Sequence, residues 1–406
     1  MNKFRNGFLC GALGCTGMIL ALTLLLQMTG HIDLSAVVIK SNEEISTKQR
    51  IEKKANTIKE YIDEFFLDDI DMVRLEDSIY KGIVDGLGDE YAAYYSADEY
   101  ADIMEKTSGK YYGIGAYVKQ DSQTGAITVV NPMANGPAEK AGIKAGDIIY
   151  AVEGTEITGK DLSSVLALIK GEKGTKVTLK ILRSGEADYL DIGVIREEIE
   201  EDTVSYRMLN KEIGYLQVTG FEEVTTKQFS EGLEALEKQN MKGLVLDLRD
   251  NGGGLLKTAV EMLDRMLPEG LVVYTEDSKG QGEKYYAEDD TQINVPVAIL
   301  VNGNSASASE VFSGAMQDEE KAVLVGTKTF GKGIVQTIFD LKDGSALKMT
   351  TSKYYTPKGR NIHGTGLEPD ITVELDRESL NKKDSNGEWL PDNQMERAME
   401  YLESEI

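Results

Sequence analysis

The chain has 406 residues and a formal net charge of −25, with 69 acidic and 44 basic side chains. This length predicts more than one domain, and the acidity argues against a nucleic acid partner. Both cysteines, Cys10 and Cys15, lie near the N-terminus, so the rest of the chain can form no disulfide, thiolate nucleophile or cysteine zinc site. The only histidines, His31 and His363, exclude the HExxH motif and paired-histidine metal sites. Any Ser-His-Asp triad would have to use His363.

An uncharged apolar run, residues 7–28, follows Lys3 and Arg5 and is long enough to cross a membrane as a helix. The positive residues ahead of it favour a cytoplasmic N-terminus. Residues 1–6 would then form a short cytoplasmic tail, and the chain beyond the anchor would lie outside the cytoplasm at the cell membrane. A cleaved signal peptide is the competing interpretation, although no small-x-small site clearly closes the run. A lipoprotein cysteine at Cys15 is less favoured, because only a short apolar stretch precedes it.

Residues 29–110 are predicted to form a helical N-terminal segment. Within it, residues 43–66 and 72–87 have the pattern of acidic amphipathic helices, which we expect to be structural or to form a homodimer. Ser96 and Glu99 have capping-box spacing, which predicts the start of a third helix.

Two different patterns follow this segment. From 111 to 196, β-type runs such as "AITVV" and "KVTLKIL" are broken by Gly-rich turns and two helical stretches, which predicts a small β-rich domain. From 197 to 376, apolar runs such as "GLVLDL" and "VPVAILV" alternate with helical segments, which predicts an α/β layer structure around a buried sheet. Residues 377–406 are predicted to form an acidic, helical C-terminal tail.

The segment "VPVAILVNGNSASASEVFSGAM" predicts a buried strand, a turn and a helix. Ser307 and Glu310 have capping-box spacing, so a plain helix cap is one interpretation of the serines. The other interpretation is chemical. A serine at such a turn holds its hydroxyl outside the helix, and the first helix amides, such as that of Ala308, point to where an oxyanion could lie.

Lys332, in "TFGKGIVQTIFDL", is a candidate base for this serine, and a surface turn lysine is the alternative. A lysine base must be neutral, and burial beside its apolar neighbours would lower its pKa from about 10.4 toward about 7–8. Gln336 could orient the amine. Four residues of ideal strand span about 13 Å, so this contact requires a turn or bulge near the glycines that flank the lysine.

The run "GLVLDLRDNGGGLL" predicts a strand that ends in three glycines before a helix. It lacks both the GxGxxG and the GK[ST] signatures of phosphate-binding turns. Close approach of the backbone to a substrate, with amides directed at a carbonyl oxygen, fits these glycines better.

Together and in this order, "DLRDNGGGLL", "VNGNSASASEVFSGAM", "VGTKTFGKGIVQ" and "YYTPKGRNIHGTGLEPD" resemble the core of the carboxyl-terminal processing (tail-specific) proteases. The resemblance extends over about residues 50–376. It implies a serine endopeptidase whose nucleophile is Ser307, whose general base is Lys332 and whose supporting glutamine is Gln336.

The resemblance also implies an oxyanion hole made by the backbone amides of Ala308 and Gly254, with Gly253 as the alternative glycine. Two positions depart from the family pattern. Asp250 stands where the family commonly has asparagine, which puts one local hydrogen bond in doubt. His363 stands where the family often has glutamine, and neither departure touches the nucleophile or the base.

Residues 111–196 correspond to the inserted PDZ domain of this family. "YYGIGAYV" is similar to the PDZ carboxylate-binding loop, and a bound peptide would add as a strand beside "GAYVK". A helix near Leu162–Ile169 would line the pocket for the last side chain of the substrate. The residues expected to bind a terminal carboxylate are Gly113, Ile114, Gly115 and Ala116, and a plain hairpin turn is the alternative for the two glycines.

The expected architecture is an α/β protease core with an inserted PDZ domain, preceded by a helical segment and one transmembrane helix. The protein would cleave unfolded or C-terminally exposed proteins through a Ser-Lys dyad, with no metal or cofactor. One alternative is an inactive PDZ adaptor or chaperone on a protease fold, which would have no use for a buried lysine. A second is a histidine-dependent hydrolase that acts through His363.

Overall fold

The computed structural model describes residues 34–288, 292–381 and 390–406. Contacts among the described residues divide the chain into two compact units, with the boundary between Glu76 and Asp77. Among the described residues, no helix is both long enough and apolar enough to cross a membrane. The anchor predicted for residues 7–28 lies outside the described residues.

Helices and strands alternate along most of the chain. The helices are α1 (Leu34–Phe65), α2 (Met72–Asp85), α3 (Ala97–Ser108), α4 (Pro137–Lys140), α5 (Leu162–Ile169), α6 (Thr225–Glu237), α7 (Leu256–Asp264), α8 (Ala308–Asp318) and α9 (Asn393–Glu405), with a 3₁₀ turn at Ser379–Asn381. Helix α3 begins at the predicted capping box, because the Ser96 N–H donates to the Glu99 carboxylate at 2.9 Å and the Glu99 N–H donates to the Ser96 hydroxyl at 3.4 Å. This prediction is confirmed.

The strands pair into four sheets. They are β1 (Ala93–Tyr95), β2 (Lys110–Gly113), β3 (Ala116–Gln120), β4 (Ile127–Pro132), β5 (Ile148–Val152), β6 (Thr155–Glu156), β7 (Lys176–Leu182), β8 (Leu190–Ile195), β9 (Glu197–Glu200), β10 (Val204–Met208), β11 (Ile213–Val218), β12 (Gly243–Asp247), β13 (Gly270–Asp277), β14 (Lys284–Ala287), β15 (Val297–Val301), β16 (Ala322–Gly326), β17 (Ile334–Asp340), β18 (Ala346–Tyr355) and β19 (Ile371–Thr372).

A β-rich module lies between the short antiparallel strands β2 and β9. Its strands β3, β4, β5, β7 and β8 form one antiparallel sheet, with β6 paired to β5. Helices α4 and α5 pack on this sheet around a hydrophobic core of their own, which includes Ile127, Val129, Val165, Val177 and Leu179. The module therefore buries enough apolar surface to be a small domain in its own right.

The central sheet of the larger module has the order β10-β11-β12-β15-β16-β19, and all its pairings are parallel except that of β10 with β11. Alternate residues of β12 face opposite sides of it. Leu244 and Leu246 join the core that includes helices α6, α7 and α8, whereas Val245 joins a second core with Met395 and Leu402 of helix α9. The sheet is therefore covered on both faces, and the C-terminal helix forms one of its layers.

A second sheet in this module contains β1, β18, β13 and β14, with β17 paired to β18. Strand β17 leads out of the segment that contains Lys332 and turns back into β18. Strands β12 and β15 are parallel neighbours, so their carboxyl ends lie on the same side of the central sheet. The loops that follow them meet there, because the Ala306 N–H donates to the Asn251 carbonyl at 3.0 Å. In α/β folds, ligands bind beyond the carboxyl ends of such strands.

Candidate active site

Ser307 lies between strand β15 and helix α8. Its backbone conformation is rare for any residue other than glycine. Its φ is 55° and its ψ is −115°. Such conformations cost about 1–3 kcal/mol and concentrate at functional sites. The strain is held by the elements on either side, because strand β15 is buried along its whole length and helix α8 is buried on nearly every residue.

The three serines of "SASAS" have different environments. Ser305 is fully buried, and its hydroxyl donates to the Leu248 carbonyl at 2.8 Å. Ser309 is also fully buried, and its hydroxyl donates to the Asn251 carbonyl at 2.9 Å. Ser307 is half-buried and lines a cavity of about 140 Å³. Two of the serines therefore stabilise the turn, and the middle one faces open space.

The Ser307 cavity has a mostly apolar wall. Its lining residues are Gly254, Leu255, Leu256, Ser307, Ala308, Val311, Ile334, Val335, Gln336 and Tyr354. The glycine triplet, the start of helix α8 and the start of strand β17 thus meet at one cavity. Four of the six residues predicted for catalysis line it, whereas Lys332 and Gly253 do not.

Two backbone amides at the cavity are open. Among the described residues, neither the Ala308 N–H nor the Gly254 N–H has a hydrogen-bond partner. The Gly253 N–H, in contrast, donates to the Asn251 side chain at 2.8 Å. Gly254 is therefore the glycine whose amide remains available to a substrate oxygen.

The glycine triplet is required by close packing. A Cβ atom on Gly253 would lie 2.8 Å from the Cβ of Ser307, and one on Gly254 would lie 2.5 Å from the Phe221 carbonyl oxygen. Both residues also have positive φ values, 100° and 150°. The triplet therefore brings backbone directly against the serine.

The buried carboxylate of Glu310 joins the serine turn to the lysine segment. Its Oε2 accepts from the Ser307 N–H at 2.9 Å and from the Lys332 N–H at 2.8 Å. Its Oε1 accepts from the Gly331 N–H at 2.7 Å and from the Thr329 hydroxyl at 2.6 Å. One side chain, fully buried, thus fixes the backbones of both predicted catalytic residues.

Tyr354 of strand β18 reinforces this junction from the other side. Its hydroxyl contacts the Ser307 carbonyl at 3.1 Å and the Lys332 carbonyl, and it can donate to either. Burial, followed by the nearby Glu310, raises the pKa of Tyr354 well above its usual value, so the phenol keeps its proton.

The Lys332 side chain does not reach Ser307 in this structure. Its Nζ lies 4.8 Å from the ring centroid of Tyr91, and within the described part of the chain it makes no hydrogen bond. Burial, and then the neighbouring Lys348 ammonium, lower the pKa of Lys332 below the usual 10.5. The direction favours the neutral amine, as a base requires.

Gln336 lies in the cavity, but it is not hydrogen-bonded to Lys332. The pairing of β17 with β18 has an irregular register between Val335 and Gln336, where the extra residue, Thr351, belongs to β18. The Gln336 amide nitrogen is buried and has no partner among the described residues. Because a buried amide without a partner is costly, this group has hydrogen-bonding capacity for whatever enters the cavity.

Asp250 and His363, the two departures from the family pattern, lie in different environments. The Asp250 carboxylate accepts from the side-chain amides of Asn304 and Asn302 at 2.8 and 2.9 Å, and these bonds lower the pKa of Asp250. The aspartate therefore accepts two local hydrogen bonds from neighbouring asparagines. His363 is exposed and does not line the Ser307 cavity, so the geometry gives no support to a histidine base.

The predicted carboxylate-binding loop lines a larger cavity of about 620 Å³. Gly113, Ile114, Gly115 and Ala116 lie on its wall together with Leu166 and Ile169 of helix α5. In the described structure, the N–H groups of Ile114 and Gly115 have no hydrogen-bond partner. Gly115 has a φ of 64°, and a Cβ atom there would press on Ile199 and Pro137. The loop and helix α5 thus line one cavity.

Sequence reasoning missed three side chains of the site. Glu310 carried a visible signal, the capping-box spacing, but not its link to Lys332. Tyr354 and Tyr91 carried no signal, because their contacts depend on how distant segments pack. No group of three or more histidine, cysteine, aspartate or glutamate side chains among the described residues is placed to hold a metal ion.

Comparisons with known proteins identify the family of this chain. The sequence profile of peptidase family S41 matches residues 212–373, and that of the PDZ domain matches residues 128–183. The chain is 36% identical over 323 residues to the carboxy-terminal processing protease CtpA of Bacillus subtilis, which covers 79% of this chain and 69% of that protein.

Two further relatives cover more of the chain. It is 35% identical over 353 residues to a carboxy-terminal-processing protease of Bartonella bacilliformis, with 86% of this chain and 80% of that protein covered. It is 36% identical over 384 residues to a probable CtpA-like serine protease of Staphylococcus epidermidis, with 92% and 75% covered. These matches confirm the resemblance seen in the sequence. The chain therefore belongs to peptidase family S41 and is a C-terminal processing serine protease with a PDZ domain.

Proposed function

We propose that this protease acts outside the cytoplasm, anchored to the cell membrane, and cleaves proteins whose C-termini its PDZ domain captures. The observation that carries the catalytic part is the environment of Ser307. Of three neighbouring serines, it alone lines a cavity, and that cavity also contains two open backbone amides. The Glu310 carboxylate ties this serine to the backbone of Lys332.

In the proposed reaction, the Ser307 oxygen forms a bond to the carbonyl carbon of the substrate while its proton passes to the neutral amine of Lys332. The C–N bond then breaks, and the Lys332 ammonium returns the proton to the leaving amine. Water attacks the acyl-serine ester, gives one proton to Lys332 and releases the new C-terminus. Lys332 finally returns that proton to Ser307.

The oxyanion of each tetrahedral intermediate would accept hydrogen bonds from the Ala308 and Gly254 amides. Removal of one such donor typically costs about 100- to 1000-fold in rate. The side-chain oxygen of Gln336 would accept a hydrogen bond from the Lys332 amine once that side chain enters the cavity, which leaves the amine lone pair free for the serine proton. The position of Gln336 on the wall of the Ser307 cavity supports this contact.

The PDZ domain would bind a terminal carboxylate at the loop Gly113, Ile114, Gly115 and Ala116. Two open amides at Ile114 and Gly115, next to an apolar wall from helix α5, support this role. The substrates would be unfolded proteins or proteins with an exposed C-terminus, since the peptide must extend along strand β3.

The membrane anchor rests on the sequence of residues 7–28, with the basic residues Lys3 and Arg5 ahead of it. This arrangement would place the PDZ domain and the protease core outside the cytoplasm. Homodimer formation through the N-terminal helices stays a prediction.

Ser307→Ala is expected to abolish hydrolysis of an unfolded test protein, because it removes the only one of the three serine hydroxyls that lines the cavity. Ser305→Ala and Ser309→Ala are matched controls that each remove a buried hydrogen bond worth about 1–2 kcal/mol of stability, and both should keep part of the activity. The measurements are kcat/KM and urea unfolding. Wild-type cleavage by the Ser307 variant would contradict the assignment.

Glu310→Gln is expected to lower kcat/KM at least about tenfold, because its carboxamide nitrogen would face backbone donors that now bind a carboxylate. Each lost hydrogen bond to a charged group is worth about 1.5–3 kcal/mol, so the free energy of unfolding should fall as well. Glu319→Gln, on an exposed residue just after the same helix, is the control and should change neither quantity. Full activity of Glu310→Gln would show that this carboxylate does not position the catalytic residues.

Activity is expected to rise with pH as Lys332 loses its proton, with a midpoint below 10.5 because burial and Lys348 lower its pKa. Lys348→Met removes the repulsion, raises the pKa of Lys332 and should move this rise to higher pH, whereas the exposed Lys353→Met should not. Lys332→Arg should be inactive, because guanidinium keeps its proton. A profile that is flat between about pH 6 and 9 would rule out a lysine base.

A peptide with a free C-terminus is expected to bind at least about tenfold more tightly than its C-terminal amide, because charge-assisted hydrogen bonds to the loop require the carboxylate. Gly115→Val should remove this preference, since a side chain there meets Ile199 and Pro137. Gly125→Ala is the control, because it also has positive φ but opens to free space. Fluorescence anisotropy on the Ser307→Ala protein measures binding without cleavage. Equal affinity for both peptides would contradict C-terminal recognition.

A further inference from the structure

Residues 89–95, here called the strap, are fixed along strand β18 beside the active site. Their second half is strand β1, which pairs antiparallel with β18 so that Ala93 lies opposite Lys348. At the other end, the Asp89 carboxylate accepts from the Tyr91 N–H at 3.0 Å and from the Thr350 N–H of β18 at 3.2 Å. The strap is therefore anchored at both ends.

Two aromatic rings of the strap contact the two lysines of the active-site region. The Lys332 Nζ lies 4.8 Å from the Tyr91 ring centroid, and the Lys348 Nζ lies 5.4 Å from the Tyr95 ring centroid. Both distances are within the range of cation–π attraction, which is about 6 Å. Lys332 is not among the residues that line the Ser307 cavity.

We propose that Tyr91 is a positioning residue for the protease reaction: its ring holds the charged form of Lys332 outside the Ser307 cavity, and the base acts only after it leaves the ring. This inference rests on the proposed role of Lys332 as the base. Leaving the ring and losing the proton are linked, because the ring face attracts an ammonium group and not a neutral amine.

The groups around Lys332 divide into those that favour and those that oppose its charge. Burial and Lys348 of strand β18 oppose it, whereas the Tyr91 ring favours it. The pKa of Tyr91 is raised, mainly by the hydrogen bond to the Glu90 carboxylate and then by burial, so its phenol stays neutral. On the backbone side, Glu310 of helix α8 accepts from the Lys332 N–H, and the neutral Tyr354 hydroxyl of β18 contacts its carbonyl.

The cavity offers the neutral amine a different set of partners. Ser307 supplies the proton to be removed, and the buried amide of Gln336 has no other hydrogen-bond partner among the described residues. Lys332 therefore has two alternative environments, an aromatic one for the ammonium and a polar one for the amine. The equilibrium between them sets what fraction of the enzyme is ready to react.

The test is the pH dependence of kcat/KM for Tyr91→Leu on an unfolded protein substrate. A ring contact of this kind is worth roughly three- to thirtyfold in an equilibrium constant. Removing it withdraws support from the charged lysine, lowers its apparent pKa and should shift the rise of activity to lower pH by about 0.5–1.5 units. At pH values below the rise, Tyr91→Leu should be more active than the wild type by the same factor. At pH values above the rise, the two activities should be nearly equal.

Matched variants separate this effect from simple loss of packing. Tyr91→Phe keeps the ring face and should keep the wild-type profile. Tyr286→Leu removes an exposed tyrosine ring of strand β14 that does not line the Ser307 cavity, and it should leave the profile unchanged. Thermal unfolding checks each variant, and Tyr91→Met replaces Tyr91→Leu if leucine unfolds the strap.

A profile of the ring-deleting variant that superimposes on the wild type would overturn the inference, as would an equal shift in Tyr91→Phe. Lys332→Ala is the control for the underlying mechanism. If Lys332→Ala cleaves at the wild-type rate, the proposed function fails whatever Tyr91 does. If Lys332→Ala is inactive and Tyr91→Leu is unshifted, only the role of Tyr91 fails.

Discussion

Four hydrogen-bond donors converge on the carboxylate of Glu310, and the geometry of the active site depends on this group. The donors come from two segments, the serine turn and the segment from Thr329 to Lys332. Both segments are loops, which on their own would be free to move apart. A buried carboxylate that loses one partner leaves an uncompensated polar group, so the two segments are held together at a steep energetic penalty. The backbones of Ser307 and Lys332, the proposed nucleophile and base, are thereby fixed to one another.

Around these fixed backbones, the side chains have different environments. The middle serine faces a cavity with two open amides, while its neighbours are committed to backbone carbonyls. Lys332 lies on an aromatic ring next to the same cavity. In the proposed mechanism, this arrangement would separate two tasks: the main chain would supply the oxyanion amides, and the Lys332 amine would transfer the proton. Amides held in place by a rigid main chain need no reorganisation during the reaction, so rigidity favours their role as oxyanion donors.

The sequence predicted what depends on neighbouring residues and missed what depends on packing. The strand, turn and helix around Ser307 follow from an apolar run and a capping-box spacing, and the glycine triplet follows from the need for close backbone approach. The reach of Glu310 to a lysine 22 residues away is a tertiary contact that no local pattern encodes. The strap is a stronger case, because its Asp89 pairs with Thr350 at a separation of 261 residues. The family motifs named Lys332 as the candidate base, but only the fold shows where its amine lies.

We infer that Ser307 is the reactive serine for two reasons. Of the three serines, it alone lines the cavity with the two open amides, and the lowered pKa of Lys332 favours a neutral amine nearby. The most direct test is to react the enzyme with a fluorophosphonate and to map the adduct by peptide mass spectrometry across a range of pH. The account predicts one adduct, on Ser307, whose rate of formation rises with pH and falls sharply in Lys332→Ala. An adduct on Ser305, on Ser309 or on another residue, or a rate that does not depend on Lys332, would contradict it.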